Sequence, residues 1–342
     1  MASASSNRIP AAAAGAVAAG GAAVAGKLVH DRRARRAEVR RARAYRLRAG
    51  ENVSDGVRRI ARGQTDLAVE HLDGSAGDGA AAIHEARKAF KRLRALVRLS
   101  RDALGDEVYR RENATFRAAG RRLSGVRDAA VMVETLDDVG RRFRDELPDG
   151  AFAGLREALV ADAESAREKT AEDQGAIDDV IATLEAERGR VAAWPLPEHA
   201  DGGMLAPGFE RIYRRGRRAL RAARKDTDTE HLHELRKRAK DLWHGAQVMR
   251  PAAPKRMKKL AGRAHDLFDV VGEDHDLAVL LDGARERADT LAPGELVLLD
   301  GLVARRRARL QRKALALGRR VYARKPRKMA RLAGRAGGHA QA

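Results

Sequence analysis

Ile83-His84-Glu85-Ala86-Arg87-Lys88-Ala89-Phe90-Lys91-Arg92-Leu93 returns later in the chain as Leu232-His233-Glu234-Leu235-Arg236-Lys237-Arg238-Ala239-Lys240-Asp241-Leu242. The shared pattern is His-Glu-x-Arg-Lys-x-x-Lys-x-Leu. Two further matches keep the same order around it. Gly56-x-x-Arg59-Ile60-x-Arg62 precedes the first copy as Gly208-x-x-Arg211-Ile212-x-Arg214 precedes the second. Arg127-Asp128-Ala129-Ala130-Val131 follows the first as His275-Asp276-Leu277-Ala278-Val279 follows the second. The spacing from His to this Asp is 44 residues in one copy and 43 in the other. Three ordered matches at nearly constant spacing define a duplicated unit.

The period of each copy is helical. At about 100° per residue from His84, the cations Arg87, Lys88, Lys91, Arg94 and Arg98 share one arc of about 120°, and Ala86, Phe90, Leu93, Leu96 and Val97 lie opposite. In the second copy His233, Arg236, Lys237, Lys240 and His244 take the polar arc, with Leu235, Ala239, Leu242 and Met249 opposite. Ala, Leu, Arg and Glu recur at 3.6-residue spacing through long stretches elsewhere, while β-branched alternation and Asn-Gly hairpin signals are scarce. The chain therefore reads as all-α.

Gly and Pro mark breaks near Asp73–Gly79, Gly105, Ser124–Gly125, Pro148–Gly150, Pro195–Gly208, Pro251–Pro254, Gly272 and Pro293–Gly294. The Pro195–Gly208 stretch is the main internal boundary. It divides a domain over 51–335 into a first half, about 51–195, and a second, about 205–335. Residues 1–50 read as an extension, rich first in Ala and Gly and then in Arg, and 336–342 as a flexible tail. The uncharged run Ile9–Gly26 lacks Leu and Phe, so its apolar transfer energy is small and no stable membrane insertion is expected.

The 342 residues carry 69 Lys+Arg against 48 Asp+Glu, a formal charge of +21, which points to a polyanionic partner. Aromatic residues make up 4%, too few for the base-stacking platforms of single-strand nucleic-acid modules. Cysteine is absent, which excludes disulfide frameworks, Fe–S clusters and thiol nucleophiles and fits a cytoplasmic setting. The charge is segregated. Residues 134–190 hold 16 acids and 8 bases, whereas 303–335 hold 14 bases and no acid.

On the repeated helices like charges stack at i, i+3, i+4 and i+7, each pair costing a few tenths of a kcal/mol on an isolated helix. A face built for solubility would intersperse Glu. The chain has 56 Arg and 13 Lys, yet Lys88, Lys91, Lys237 and Lys240 take four of the 13. Lysine here, against the arginine habit of the chain, suits a site that wants compact point charges.

On His84-x-x-Arg87-Lys88-x-x-Lys91-x-x-Arg94 with Arg127-Asp128, and His233-x-x-Arg236-Lys237-x-x-Lys240 with His275-Asp276, the sequence resembles the CHAD family, the conserved histidine α-helical domain. Leu317-Gly318-Arg319-Arg320-Val321-Tyr322-Ala323-Arg324-Lys325-Pro326 resembles the last helix of that family. The resemblance covers roughly 51–335 and implies two similar four-helix bundles related by a pseudo-two-fold axis. Basic helices would line a central cleft that binds inorganic polyphosphate. The Glu-x-Glu-x-Lys strand motif of the triphosphatase domains that often accompany the family is not found, so the chain resembles a stand-alone member. It departs from the pattern at Trp243, which stands where the first copy has Arg94, and at Ser124, which stands where the second has Gly272.

The expected site has His84, Arg87, Lys88, Lys91, Arg94 and Arg98 on one wall and His233, Arg236, Lys237 and Lys240 on its mate. Arg59, Arg62, Arg211, Arg214, Arg215 and Arg218 are second-rank contacts from the preceding helices. Arg319 and Lys325 rank third, on the last-helix resemblance. Binding is expected to be non-catalytic, without cofactor or metal, and to allow association with polyphosphate granules in the cytoplasm. Asp128 and Asp276 are expected to cap helices after a break or to pair with a groove Arg. Nothing in the pattern fixes an oligomeric state.

Two alternatives remain open. Nucleic-acid binding has the net charge and the 303–335 run in its favour, and lacks base-reading aromatics or a helix-turn-helix signature. A metal-dependent phosphohydrolase is suggested by His265-Asp266, His275-Asp276 and the His231/His233 pair. However, His-x-His on a helix points its rings about 200° apart, and the inward carboxylates of a two-metal site are missing.

Overall fold

The computed structural model describes residues 44–74, 79–123, 127–171 and 174–336. The Ala/Gly-rich run, nearly all of the basic extension, Ser124 and most of the expected tail lie outside the described residues. Tyr45 onward forms one compact unit. Among the described residues there are twelve α-helices and no strand, and no helix is long and apolar enough to cross a membrane.

Two helices open the first half, α1 (Val53–Leu72) and α2 (Gly79–Leu99), followed by the single turn α3 (Arg101–Leu104) and by α4 (Asp106–Arg122). Then come α5 (Arg127–Arg142), α6 (Ala153–Ala171) and α7 (Gln174–Ala192). The second half holds α8 (Ala206–Lys225), α9 (Thr229–Val248), α10 (Pro254–Glu286), α11 (Glu295–Val321) and α12 (Pro326–Ala333). Local chemistry sets the starts. Asn52 Oδ1 accepts from the Ser54 amide at 2.9 Å to cap α1, Asp228 Oδ1 accepts from the His231 amide at 2.6 Å to cap α9, and proline occupies the first turn of α8, α10 and α12.

Packing follows the apolar faces. In the first half α1 lies on α2 and α7, α2 on α4, and α5 on α6; in the second α8 lies on α9 and α12, α9 on α10, and α10 on α11. The halves meet where α2 touches α8 and α9, and where α5 touches α10. Ala86, Phe90, Leu93, Leu96 and Val97 are buried, as are Leu235, Ala239, Leu242 and Met249, so both repeated helices present the face expected of them to the core. Each large side chain so buried contributes about 1.5–3 kcal/mol.

Two expectations, on Gly272 and His244, are corrected. Gly272 does not break a helix, since α10 runs unbroken through it from Pro254 to Glu286. Of the two roles expected of Asp276, it is the pairing with a groove arginine that the structure shows, in mid-helix and 3.9 Å from Arg236; the side chain of Asp128 lies outside the described residues. His244, placed on the cationic arc by its spacing, is buried between Trp243 and Tyr45. Leu47 is buried and its amide donates to the Val248 carbonyl at 3.1 Å, and Ala336 is buried with its carbonyl accepting from the Gly202 amide, so residues flanking 51–335 pack onto the helices.

Candidate functional site

Where α2, α9 and α10 come together, with α5 contributing Val131, they enclose a cavity of about 380 Å³. Its polar lining is Arg87 and Lys91 from α2, His233, Arg236, Lys237 and Lys240 from α9, and His275 and Asp276 from α10. Its apolar lining is Val131, Phe268 and Val279. One carboxylate among five Lys and Arg side chains leaves the cavity strongly positive.

The helices place these groups by period alone. Arg236 and Lys237 stand one turn before Lys240 on α9, and Arg87 one turn before Lys91 on α2. On α10, Phe268, Gly272, His275 and Val279 fall on one arc. A Cβ added at Gly272 would lie 3.1 Å from Arg236 Nη2 and 3.3 Å from Nε. The missing side chain is the bed in which the Arg236 guanidinium lies, 5.0 Å from the centroid of the Phe268 ring.

Crowding of like charges shows in the titration of the lining groups. Burial, and then the neighbouring Lys91, push the Lys240 ammonium down to about 7, with Arg98 and Arg236 acting in the same direction and Asp241 opposing. His233 is pushed below the usual histidine value by burial, Lys237, His275 and Arg236, and His275 by burial and Arg236. The two imidazoles face one another with centroids 4.9 Å apart, and Nδ1 of each is buried without a hydrogen-bond partner. Every one of these groups would gain from an anion between them.

The remaining expected residues are distributed differently. Lys88 leans on Glu85 at 2.6 Å outside the cavity lining, and its ammonium holds the Glu85 carboxyl below the usual range. Arg94 donates to Asn113 Oδ1 at 3.3 Å; burial, Arg98 and Arg117 lower it to about 10. Arg98 binds Asp241 at 3.0 Å, and the other oxygen of that buried carboxylate takes Arg238 at 2.9 Å, so one aspartate ties α2 to α9. His84, half-buried on α2, is not among the cavity-lining residues.

The second-rank arginines lie outside the cavity lining too. Arg59 grips Glu51 at 2.6 and 2.8 Å and the Arg46 carbonyl at 3.0 Å, which fastens the segment before α1. Arg211 binds Asp102 at 2.7 Å and the Arg98 carbonyl at 2.9 Å. It lines a small niche with Arg98, Arg101, Arg215, Arg238 and Asp241. Arg62, Arg218, Arg319 and Lys325 are exposed, and Arg214 is exposed beside Glu210 at 3.8 Å.

Phe268, Val131 and Val279 were not legible as site residues; His275 and Asp276 stand in the repeat, the family motif and the hydrolase reading, and only Asp276 was expected to meet a groove Arg. The signal for Phe268 was the arc it shares with His275, hidden by reading Gly272 as a break. Two of the three hydrolase motifs meet, His233 against His275 in the cavity, while His265-Asp266 stands apart from its lining. His231 pairs with Asp228 at 3.1 Å, His265 with Asp269 at 2.5 Å beside Trp243, and His233 with His275.

The fold and cavity define a class, an all-helical domain whose duplicated basic helices converge on one cationic pocket. The family profile described as CHAD domain matches residues 59–285, and the chain belongs to that family. The crystal structure of the CHAD domain from the plant Ricinus communis superposes with a TM-score of 0.59 over 82% of this chain and 95% of that one, at 16% identity, which is a likeness of fold. No curated protein matches the chain.

Proposed function

We propose that the cavity between α2, α9 and α10 binds inorganic polyphosphate without cleaving it, and that long chains recruit the protein to polyphosphate granules in the cytoplasm. The family is associated with polyphosphate binding in general. The observation that carries the reading is the pairing of Lys91 and Lys240 across the two halves. Burial and mutual repulsion depress Lys240 with too little carboxylate nearby to relieve it. A linear polyanion without bases supplies that relief, and its oxygens suit guanidinium forks and ammonium points one helical turn apart. The cavity lining holds one carboxylate, Asp276, against five Lys and Arg side chains, which supports binding over a two-metal hydrolysis that needs several inward carboxylates.

The test is titration of the full chain with polyphosphate of defined length. Lys91→Gln combined with Lys240→Gln removes two charge-assisted contacts, each worth about 1.5–3 kcal/mol, and is expected to weaken binding about a hundredfold or more. Circular dichroism checks that helicity is retained. Lys88→Gln, outside the cavity lining, serves as the control and is expected to change little. Wild-type affinity in the double variant, or release of phosphate from the chain, would overturn the reading.

A further inference from the structure

A second basic surface lies on α11. Arg305, Arg309, Arg312, Lys313, Arg319 and Arg320 fall within one arc of about 120° and stretch about 22 Å along the helix. All six are exposed. The inward arginines of the same helix are neutralised by α10: Arg306 binds Glu273 at 2.6 Å and Arg307 binds Asp274 at 3.2 Å. Outward, Arg305 meets Glu146 at 2.5 Å, and no salt bridge joins the other five to any described acid. The sequence holds no acid after Asp300.

Solubility does not account for this stripe. A solubilising face mixes signs, as α5 does where Asp138 sits among Arg141 and Arg142, whereas like charges at i+3, i+4 and i+7 repel. The stripe is also separate from the cavity. Glu273 and Asp274 face α11, whereas Phe268, His275 and Val279 on the other side of α10 face the cavity, so α10 stands between the two basic regions.

We infer that the outer stripe of α11 binds the phosphate backbone of duplex nucleic acid without regard to sequence, independently of the cavity. The stripe is straight and open. A thin flexible chain would be touched on one side only, with little return for its ordering, while a duplex presents a rigid charge every 1.7 Å or so. About 22 Å is enough to reach both phosphate walls of a groove about 12 Å wide. The arc itself carries no aromatic to stack on or read a base and no large apolar side chain to enter a bilayer, and the Phe143 ring beside it is covered by Arg305 at 5.2 Å.

Fluorescence anisotropy with a short duplex DNA of random sequence and, separately, with labelled polyphosphate tests this on the full chain. R309Q/R312Q/K313Q/R320Q is expected to weaken duplex binding about tenfold or more at about 50 mM salt, and to flatten the salt dependence by a slope of about 3.6. Its polyphosphate affinity should hold. K91Q/K240Q should keep duplex affinity. The inference is overturned if wild type does not bind the duplex, if the cavity variant loses duplex binding as fully as the stripe variant, or if anionic vesicles bind through the stripe and the duplex does not. Polyphosphate binding left intact in K91Q/K240Q would sink the cavity reading and leave the stripe standing.

Discussion

Lys240 is held near pH 7 by burial, by Lys91 and Arg98 from α2, and by Arg236 on its own helix, against the pull of Asp241; Phe268 from α10 stands 6.0 Å away. The unfolded chain keeps this lysine protonated up to its ordinary value of 10.5. Between about 7 and 10.5 the unfolded state therefore binds more protons than the folded state, and stability rises with pH through that window. The cost of the buried charge is largest below pH 7. Lys240→Met is accordingly expected to raise the melting temperature by several degrees at pH 6 and by less at pH 9, while weakening polyphosphate binding. For the wild type the sign for binding is opposite. Affinity should fall as pH rises from 6 to 9, since Lys240, His233 and His275 offer their charge only when protonated. Calorimetry in two buffers of different ionisation enthalpy should show proton uptake on binding at pH 7.5. Melts unchanged in Lys240→Met at pH 6, or binding without proton exchange, would contradict the burial of this ammonium.

At the scale of helices, the repeated Gly-x-x-Arg-Ile has a steric cause that the sequence did not reveal. A Cβ on Gly208 would lie 1.8 Å from the Leu99 carbonyl oxygen, so α8 crosses the end of α2 backbone against side-chain-free backbone. Gly208→Ala gains at most about 1 kcal/mol of helix propensity and must open this crossing, an overpacking cost of about 3 kcal/mol. Urea denaturation is expected to show a net loss of about 2 kcal/mol, and a neutral result would mean that the crossing is looser than the contact requires. Helix type and core face were legible because period 3.6 and burial agree, as at Phe90 and Leu235. Helix ends were less so. Gly272 carries the residue type of a break but serves as a bed for Arg236, and only the packed partner distinguishes the two uses. Lys88 and Lys91 share an arc and part company because Glu85 captures one and the cavity takes the other. Spacing along one helix cannot tell which cations a second helix will neutralise; Arg98, bound to Asp241 across the seam, is the same case.

For the whole molecule, the net charge of +21 overstates what any one ligand can feel. Arg306, Arg307, Arg59 and Arg211 are spent on Glu273, Asp274, Glu51 and Asp102, and the stripe of α11 lies behind α10 as seen from the cavity. Within the cavity the charge comes from Arg87, Lys91, Arg236, Lys237 and Lys240, with Asp276 subtracting from it. Counterion release then sets a ceiling. With about 0.7 per neutralised phosphate for a single strand, five contacts give a slope of log affinity against log salt near −3.5 for polyphosphate short enough to fit the cavity. A steeper slope, near −8, would require that the ligand be wrapped by the outer surface as well. Lengthening the polyphosphate should leave the slope near its short-chain value, since the outer stripe of α11 gives a thin flexible chain little return. The same series in R309Q/R312Q/K313Q/R320Q should match the wild type at all lengths. Measured between about 50 and 200 mM salt, this pair of curves decides whether the protein holds its ligand by one pocket or by its total charge.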